Sequence, residues 1–280
     1  MEIKFTKMHG IGNDYVYINC FEENLDGVDI SKLAVDMSKR RFSVGSDGVI
    51  LICPSENCDA RMRMFNADGS EGKMCGNGIR CVAKYCYDFG IAKKDVITIE
   101  TLSGVKTVKV TAERDKLKFA EVNMGKAELD PKLIPVISPT NRITLKSVDK
   151  TFDFTCVSMG NPHAVTYVDD LEFDIERYGA PIEKNTAFPD RVNVEFVKVV
   201  DKATLRMRVW ERGSGETYAC GTGACAIAVS SVLNGICDYN TPVTVKLLGG
   251  DLKITVRDDL TVFMEGPAEI SYRGVYEYED

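Results

Sequence analysis

Histidine is nearly absent from this chain of 280 residues, with only His9 and His163 present. Cysteines stand at 20, 53, 58, 75, 81, 86, 156, 220, 225 and 237, but no two form a Cys-x-x-Cys pair. Zinc-ligand spacing is therefore missing, and no metal site is expected. Long apolar runs are missing too, none approaching the ~20 residues of a membrane span. The start, Met1 to Met8, carries charge where a signal peptide needs an apolar stretch. A cytoplasmic protein without a membrane partner is expected. Positive charge is not in excess: 42 acidic against 35 basic residues give a formal net charge of −7. Such a field repels polyanions, and nucleic acid is not an expected partner. Nucleotide motifs are incomplete, since Gly10-Ile-Gly12 lacks the third glycine and Gly72-Lys73-Met74 lacks a hydroxyl residue after the lysine. The composition is that of a globular protein, 44% hydrophobic and 28% charged, which excludes intrinsic disorder and a disulfide scaffold. In a reducing cytosol most of the ten cysteines are expected to be small buried hydrophobes. Two stand in a different context.

Those two reveal an internal repeat. Cys75-Gly-Asn-Gly78 and Cys220-Gly-Thr-Gly223 lie 145 residues apart. The same offset lays Phe65-Asn-Ala-Asp-Gly69 on Trp210-Glu-Arg-Gly-Ser214 and Gly48-Val-Ile-Leu-Ile52 on Asn193-Val-Glu-Phe-Val197. With three residues of drift, Met8-His-Gly-Ile-Gly-Asn13 and Tyr15-Val-Tyr match Ser158-Met-Gly-Asn161 and Ala164-Val-Thr-Tyr. Two related domains are predicted, with a ligand bound where corresponding elements face each other.

Short β-branched or alternating segments, punctuated by Gly, Asp and Asn, predict strands in both halves. They are 3–5, 15–19, 48–53, 61–65, 96–100, 106–111 and 118–122, then 152–157, 164–168, 192–200, 205–210, 244–248, 252–256 and 261–265. Helices are predicted over 29–38 and, after the two marked cysteines, over 78–87 and 223–233. The last has almost no polar face, so protein must surround it on all sides. The expected fold class is α/β (α+β), with two pseudo-symmetric domains, each a barrel-like sheet wrapped around a central apolar helix. The N-terminal domain is drawn at 1–120, the C-terminal one at 121–266, and the tail 267–280 is expected to pack back on the first. The segment Asp130-Pro-Lys-Leu-Ile-Pro135 is placed near the connection.

A cysteine directly before Gly-x-Gly and a helix sits where unpaired N–H groups and the positive end of the helix dipole converge. That position favours thiolate and predicts a lowered pKa, a base or nucleophile at cellular pH. The flanking glycines let an anion approach the N–H groups closely. One such thiol per half suits inversion of a carbon centre, which needs a base on one face and an acid on the other. A racemase or epimerase acting α to a carboxylate is predicted. The helix N-termini would stabilise charge building on that carboxylate, so neither pyridoxal nor metal is required.

At seven places in chain order the sequence resembles diaminopimelate epimerases: Met8-His-Gly-Ile-Gly-Asn-Asp14, Phe65-Asn-Ala-Asp-Gly-Ser70, Met74-Cys-Gly-Asn-Gly-Ile-Arg-Cys81, Met159-Gly-Asn-Pro-His163, Arg191-Val-Asn193, Trp210-Glu-Arg-Gly213 and Ala219-Cys-Gly-Thr-Gly223. The resemblance implies a cofactor-independent isomerase that interconverts LL- and meso-diaminopimelate on the route to lysine and peptidoglycan. It implies Cys75 and Cys220 as the catalytic pair. Arg212 offers a planar fork for the distal carboxylate, with Asn66, Asn161 and Asn193 around the distal amino-acid group. Glu211 can accept the reacting ammonium with help from Asn13. Gly76, Asn77, Gly221 and Thr222 would turn N–H groups toward the reacting carboxylate. For any one asparagine a turn-forming role competes. His163 is either a satisfied structural histidine or, with Glu211, a group that tunes thiol protonation. The expected partner is a small-molecule amino-acid substrate, with assembly as a homodimer. Two other readings stay open: a two-cysteine proline or hydroxyproline racemase, which leaves Arg212 and the asparagines without a second charged end to hold, and an inert member that only binds.

Overall fold

The computed structural model describes residues 1–279, a mixed α/β chain with eighteen strands and four helices among the described residues. It divides into two compact units, Met1–Val122 with the chain from Gly266 onward, and Asn123–Glu265. No helix among the described residues is long and apolar enough to cross a membrane.

The first unit opens with Glu2–Gly10 and Asn13–Asn19, joined antiparallel through Ile11 and Gly12, both at positive φ. Such a two-residue turn matches the twist of the flanking strands. Helix α1 (Ile30–Ser38) then carries the chain to Gly48–Cys53, parallel to Asn13–Asn19. Ala60–Asn66 returns antiparallel and takes the short Glu71–Gly72 on its other side. Helix α2 (Gly76–Asp88) crosses to Val96–Thr101, parallel to Ala60–Asn66, and two antiparallel strands follow, Gly104–Glu113 and Lys116–Lys126.

The second unit repeats this pairing. Lys150–Ser158 and Pro162–Tyr167 are antiparallel, α3 (Ile175–Glu183) leads to the parallel Asn193–Asp201, and Thr204–Glu211 returns with Gly215–Glu216 beside it. Helix α4 (Gly221–Leu233) crosses to Val243–Leu247, parallel to Thr204–Glu211, before Gly250–Val256 and Thr261–Pro267. The outer strand alone enters differently. Arg142–Ser147 pairs with Lys150–Ser158 from upstream, whereas Glu2–Gly10 receives Glu269–Glu277 from the far end of the chain.

The offset of 145 residues holds down to side chains. Val49 stands opposite Phe65 and Val194 opposite Trp210. Arg63 Nε meets Glu71 Oε1 at 2.8 Å, and Arg208 Nε meets Glu216 Oε1 at 2.6 Å. Asp29 caps α1 by accepting from the Lys32 N–H at 3.0 Å, and Asp174 caps α3 from the Arg177 N–H at 3.2 Å. Each cap is worth about 1 kcal/mol.

Helix α4 is buried from Gly221 through Val232 except at Thr222. Five strands pack on it: Lys150–Ser158, Pro162–Tyr167, Asn193–Asp201, Val243–Leu247 and Gly250–Val256. Helix α2 is held by Glu2–Gly10, Asn13–Asn19, Ala60–Asn66, Val96–Thr101 and Gly104–Glu113. Each fully buried Ile or Val on such a helix contributes roughly 1.5–3 kcal/mol.

Some elements differ from the sequence reading. Helices α2 and α4 begin at Gly76 and Gly221, two residues earlier than predicted, because the cysteine itself is the N-cap. The strand expected over 164–168 runs Pro162–Tyr167. Helix α3 was not predicted, since Gly179 and Pro181 interrupt its pattern. The segment 130–135 lies inside the second unit, where Ile134 and Val136 join the core.

Candidate active site

In the first unit the chain leaves Glu71–Gly72 and enters α2 through Cys75, whose extended backbone turns its sulfur over the first helical turn. Cys75 Sγ accepts from the Gly78 N–H at 3.3 Å and donates to Asn13 Oδ1 at 3.3 Å. The Asn13 amide is oriented by its other end, which donates to Asp47 Oδ2 at 2.7 Å. Arg40 Nη2 bridges Asp47 Oδ1 and Asp14 Oδ1 at 2.9 and 2.6 Å, and Lys7 Nζ meets Asp14 Oδ2 at 2.5 Å. Asn77 is buried in the first turn of α2. Gly10 makes room for it, since a Cβ there would stand 3.2 Å from Asn77 Cβ and 2.9 Å from Arg80 Nη2. Asn66 ends Ala60–Asn66 and donates to Ser70 Oγ at 3.0 Å, within a turn also held by Asp68.

The second unit builds the same start. Cys220 caps α4, accepting from the Gly223 N–H at 3.3 Å, with Thr222 Oγ1 3.7 Å from its sulfur. Gly221 opens the helix and is buried. Asn161 donates to Thr222 Oγ1 at 3.3 Å and turns Oδ1 to His163 Nε2 at 3.1 Å. His163, fully buried, places Nδ1 2.6 Å from Glu195 Oε1. Glu211 ends Thr204–Glu211 and accepts from the Thr217 hydroxyl. Arg212 spends one N–H on the Asp190 carbonyl at 2.9 Å. Asn193 braces the strand ends: its amide donates to the Pro162 carbonyl and accepts from the Arg212 N–H, each at 2.9 Å.

Each unit thus gathers its own predicted residues. Cys75, Gly76, Asn77 and Asn13 meet at one helix start, with Asn66 in the turn after the neighbouring strand. Cys220, Gly221, Thr222, Asn161 and His163 meet at the other, with Glu211 close enough to act on Cys220. Sequence reasoning missed Glu195, read only as part of a strand. The signal was an acidic residue inside the apolar run Val192-Asn-Val-Glu-Phe-Val197.

Thiol electrostatics differ from expectation. Burial pushes the Cys75 thiol up, against the N–H groups of Gly78 and Asn77, the Arg80 charge and the Tyr15 hydroxyl. Cys220 is pushed well up, first by burial, then by the Glu211 and Glu195 carboxylates, against the Thr222 hydroxyl and the Gly223 N–H. The helix start does favour thiolate, but desolvation outweighs it at both sites. Tyr15 is held well above the usual phenol range by burial and then by Cys75 and Asp47, so it faces Cys75 as a neutral hydroxyl. Of the other eight cysteines, expected to be mostly buried, Cys81, Cys86, Cys156, Cys225 and Cys237 are buried and Cys20, Cys53 and Cys58 are partly exposed; of the marked pair, Cys220 is buried and Cys75 partly exposed.

His163, Glu195 and Cys220 place their donor atoms within 4.8 Å of one another. That spacing alone admits a metal ion. Both ring nitrogens of His163 are already engaged, by Glu195 and Asn161, and the hydrogen-bond path continues from Asn161 through Thr222 to the Cys220 thiol.

A family model described as diaminopimelate epimerase matches residues 5–129 and 155–271. The chain belongs to the diaminopimelate epimerase family. The diaminopimelate epimerase of Acetivibrio thermocellus is 52% identical over 277 residues, covering 97% of this chain and 98% of that one. That of Bacillus cytotoxicus is 47% identical over 283 residues, with 99% and 98% covered. Among solved structures, a hydroxyproline epimerase from Agrobacterium vitis with bound trans-4-hydroxy-L-proline superposes with a TM-score of 0.72 at 14% identity, covering 100% of this chain and 93% of that one. A PhzF-family phenazine biosynthesis protein from Bacillus anthracis reaches 0.74 at 16%, with 99% and 100% covered. At such identities the likeness to these two is one of fold, and it is the fold of two pseudo-symmetric domains.

Proposed function

We propose that this family member is an amino-acid isomerase that interconverts LL- and meso-diaminopimelate without a cofactor, supplying precursors of lysine and peptidoglycan. The observation that carries the reading is the pair of N-cap cysteines, Cys75 and Cys220, each with its sulfur 3.3 Å from the N–H of the third residue on. In the proposed cycle the two sulfurs share one proton. The thiolate removes the substrate's α-proton from one face and becomes a thiol. The electron pair left on carbon delocalises into the carboxylate, where N–H groups of Gly76, Asn77, Gly221 and Thr222 take up the developing charge. The opposite thiol then delivers its proton to the other face and becomes the thiolate. The mirror reaction runs the same steps with the roles exchanged, which is why matched groups suit it.

Glu211 pairs with the reacting ammonium in this reading, assisted by Asn13, and that ion pair also helps to acidify the carbon. Arg212 keeps N–H groups beyond the one given to Asp190 and serves as the distal carboxylate clamp, with Asn66 and Asn161 beside the distal ammonium. Asn193 fixes the Arg212 backbone and keeps a second side-chain N–H for the distal amino-acid group. A cytoplasmic location and a homodimer go with the same reading, both on the strength of the family alone.

Incubation with LL-diaminopimelate and, in parallel, L-proline in deuterium oxide tests this. Deuterium should enter the α-position of diaminopimelate as the meso isomer appears, with none in proline. Label in proline alone would make the protein a proline-type racemase, and label in neither would make it an inert binder.

A further inference from the structure

The two thiols occupy equivalent places, yet the buried groups behind them are of opposite character. A Cβ on Gly78 would meet Ile50 Cδ1 at 2.6 Å, while a Cβ on Gly223 would meet Glu195 Oε1 at 2.9 Å and Cys220 Sγ at 3.0 Å. Ile50 and Glu195 are therefore counterparts, 145 residues apart, at the same spot against the first helical turn. Tyr15 and His163 are counterparts in the preceding strand, since the next residues, Val16 and Ala164, pair with the equivalent Val49 and Val194 in matching parallel ladders. A fully buried charge of opposite sign lies in the first unit: Arg80 in α2 holds the Gly76 carbonyl at 3.1 Å and the Pro267 carbonyl at 3.2 Å, and Cys225 takes its place in α4.

Glu195 is fully buried. One carboxylate oxygen is taken by His163 Nδ1, and the other has no hydrogen-bond partner among the described residues. Burying such a charge costs several kcal/mol, and an apolar residue of similar volume is often neutral or better in its place. The first unit shows that this fold accepts isoleucine there.

We propose that Glu195 is a positioning residue that makes the two thiols unequal: it holds the His163 ring by Nδ1, and its charge keeps the proton on Cys220, so that Cys75 is the thiol that ionises first. This rests on the two-thiol reading above and adds the order in which the thiols work. Every titratable group around each sulfur enters the balance. Cys220 faces Glu211 and Glu195, with Thr222 and Gly223 as donors. Strand Lys150–Ser158 adds Cys156, a thiol pushed up to about 12 by burial and by Glu195. Strand Pro162–Tyr167 adds His163, and Tyr167, whose hydroxyl is engaged by Ser230 and Ser231. The buried residues of Val243–Leu247 and Gly250–Val256 are apolar. Cys75 faces Arg80 of α2 and Tyr15 of Asn13–Asn19, with Cys81 further along the helix, Tyr17 further along the strand, and the partly exposed Asp47 behind Asn13. The signs agree: the buried Arg80 cation favours thiolate at Cys75, and the carboxylates of buried Glu195 and half-buried Glu211 disfavour it at Cys220.

The test is the pH dependence of alkylation by iodoacetamide, read separately at each cysteine by peptide mass mapping. In the wild-type protein the Cys75 midpoint should lie below that of Cys220. Glu195→Gln keeps an acceptor for Nδ1 but removes the charge, so the Cys220 midpoint should fall by about one pH unit or more while Cys75 stays in place. Epimerase kcat should fall roughly tenfold with KM within about twofold, as for a lost interaction that acts on chemistry and not on binding. Glu195→Ile, which installs the residue of the first unit and should fold, should move the Cys220 midpoint in the same direction. A wild-type order with Cys220 below Cys75, or a Cys220 midpoint that does not move in either variant, overturns the proposal. Alkylation needs no turnover, so a protein that leaves diaminopimelate unlabelled would sink the substrate reading and leave this result to be judged by itself.

Discussion

The start of α2 is backed by isoleucine, tyrosine and a buried arginine; the start of α4, built on the same pairing pattern, is backed by glutamate and histidine. The backbone parts coincide: the N-cap cysteine, the N–H on sulfur, the asparagine beside it, even the Arg–Glu pair one strand away. What the comparison teaches is that the repeat preserves positions while the side chains behind them have diverged. Asn13 turns its oxygen to Cys75, whereas Asn161 turns its oxygen to His163. A reaction that needs one proton on two sulfurs gains from such inequality, because two identical thiols would leave its place undetermined.

The largest effect that would sharpen this comparison comes from the sulfurs themselves. Serine is a far weaker acid and base, so Cys75→Ser and Cys220→Ser should each lower epimerisation about 10³-fold, within the range for losing a general acid or base. The two variants should differ in which isomer still exchanges its α-proton with deuterium oxide. If both exchanged both isomers at near wild-type rates, the thiols would not be the acid and base.

Arg212 has no counterpart of its type, since the matching position in the first unit is Ala67. Replacing it by lysine keeps the charge and loses the fork. A charged hydrogen bond is worth roughly 1.5–3 kcal/mol, so kcat/KM for diaminopimelate should fall about ten- to a hundredfold with the melting temperature unchanged. A variant as active as the parent would remove Arg212 from the site.

The smallest effect separates the two matched ion pairs. Arg63 meets Glu71 in a partly exposed pair, whereas Arg208 also donates to the Leu171 and Phe173 carbonyls, each at 2.7 Å. Arg63→Ala should cost at most about 1 kcal/mol. Arg208→Ala removes a donor from both carbonyls, of which Leu171 keeps the Phe173 N–H at 3.1 Å, and should cost about 1 kcal/mol more. Denaturant melts of the two variants read the difference directly, and equal costs would mean the carbonyl bonds add nothing.

Read alone, the sequence determined the elements whose cause is local. Cys-Gly-x-Gly before an apolar stretch specifies a capped helix start, and alternating β-branched residues specify most strands, because both depend on neighbours within a few residues. The offset of 145 was legible for the same reason, as a repeated local pattern. Elements that exist only through distant partners were not. Glu269–Glu277 has few buried side chains and becomes a strand by pairing with the remote Glu2–Gly10, while Arg142–Ser147, the near arm of a hairpin with Lys150–Ser158, escaped notice because it buries so little. The balance at the thiols was likewise decided by tertiary structure. A helix dipole can be read from one segment, but desolvation depends on the five strands packed around each helix. Glu195 shows the limit most plainly. In sequence it is one charge in a strand, and only packing reveals that it points inward against Cys220 with His163 as its partner. Burial is a property of the surroundings, and those are assembled from residues far away in the chain.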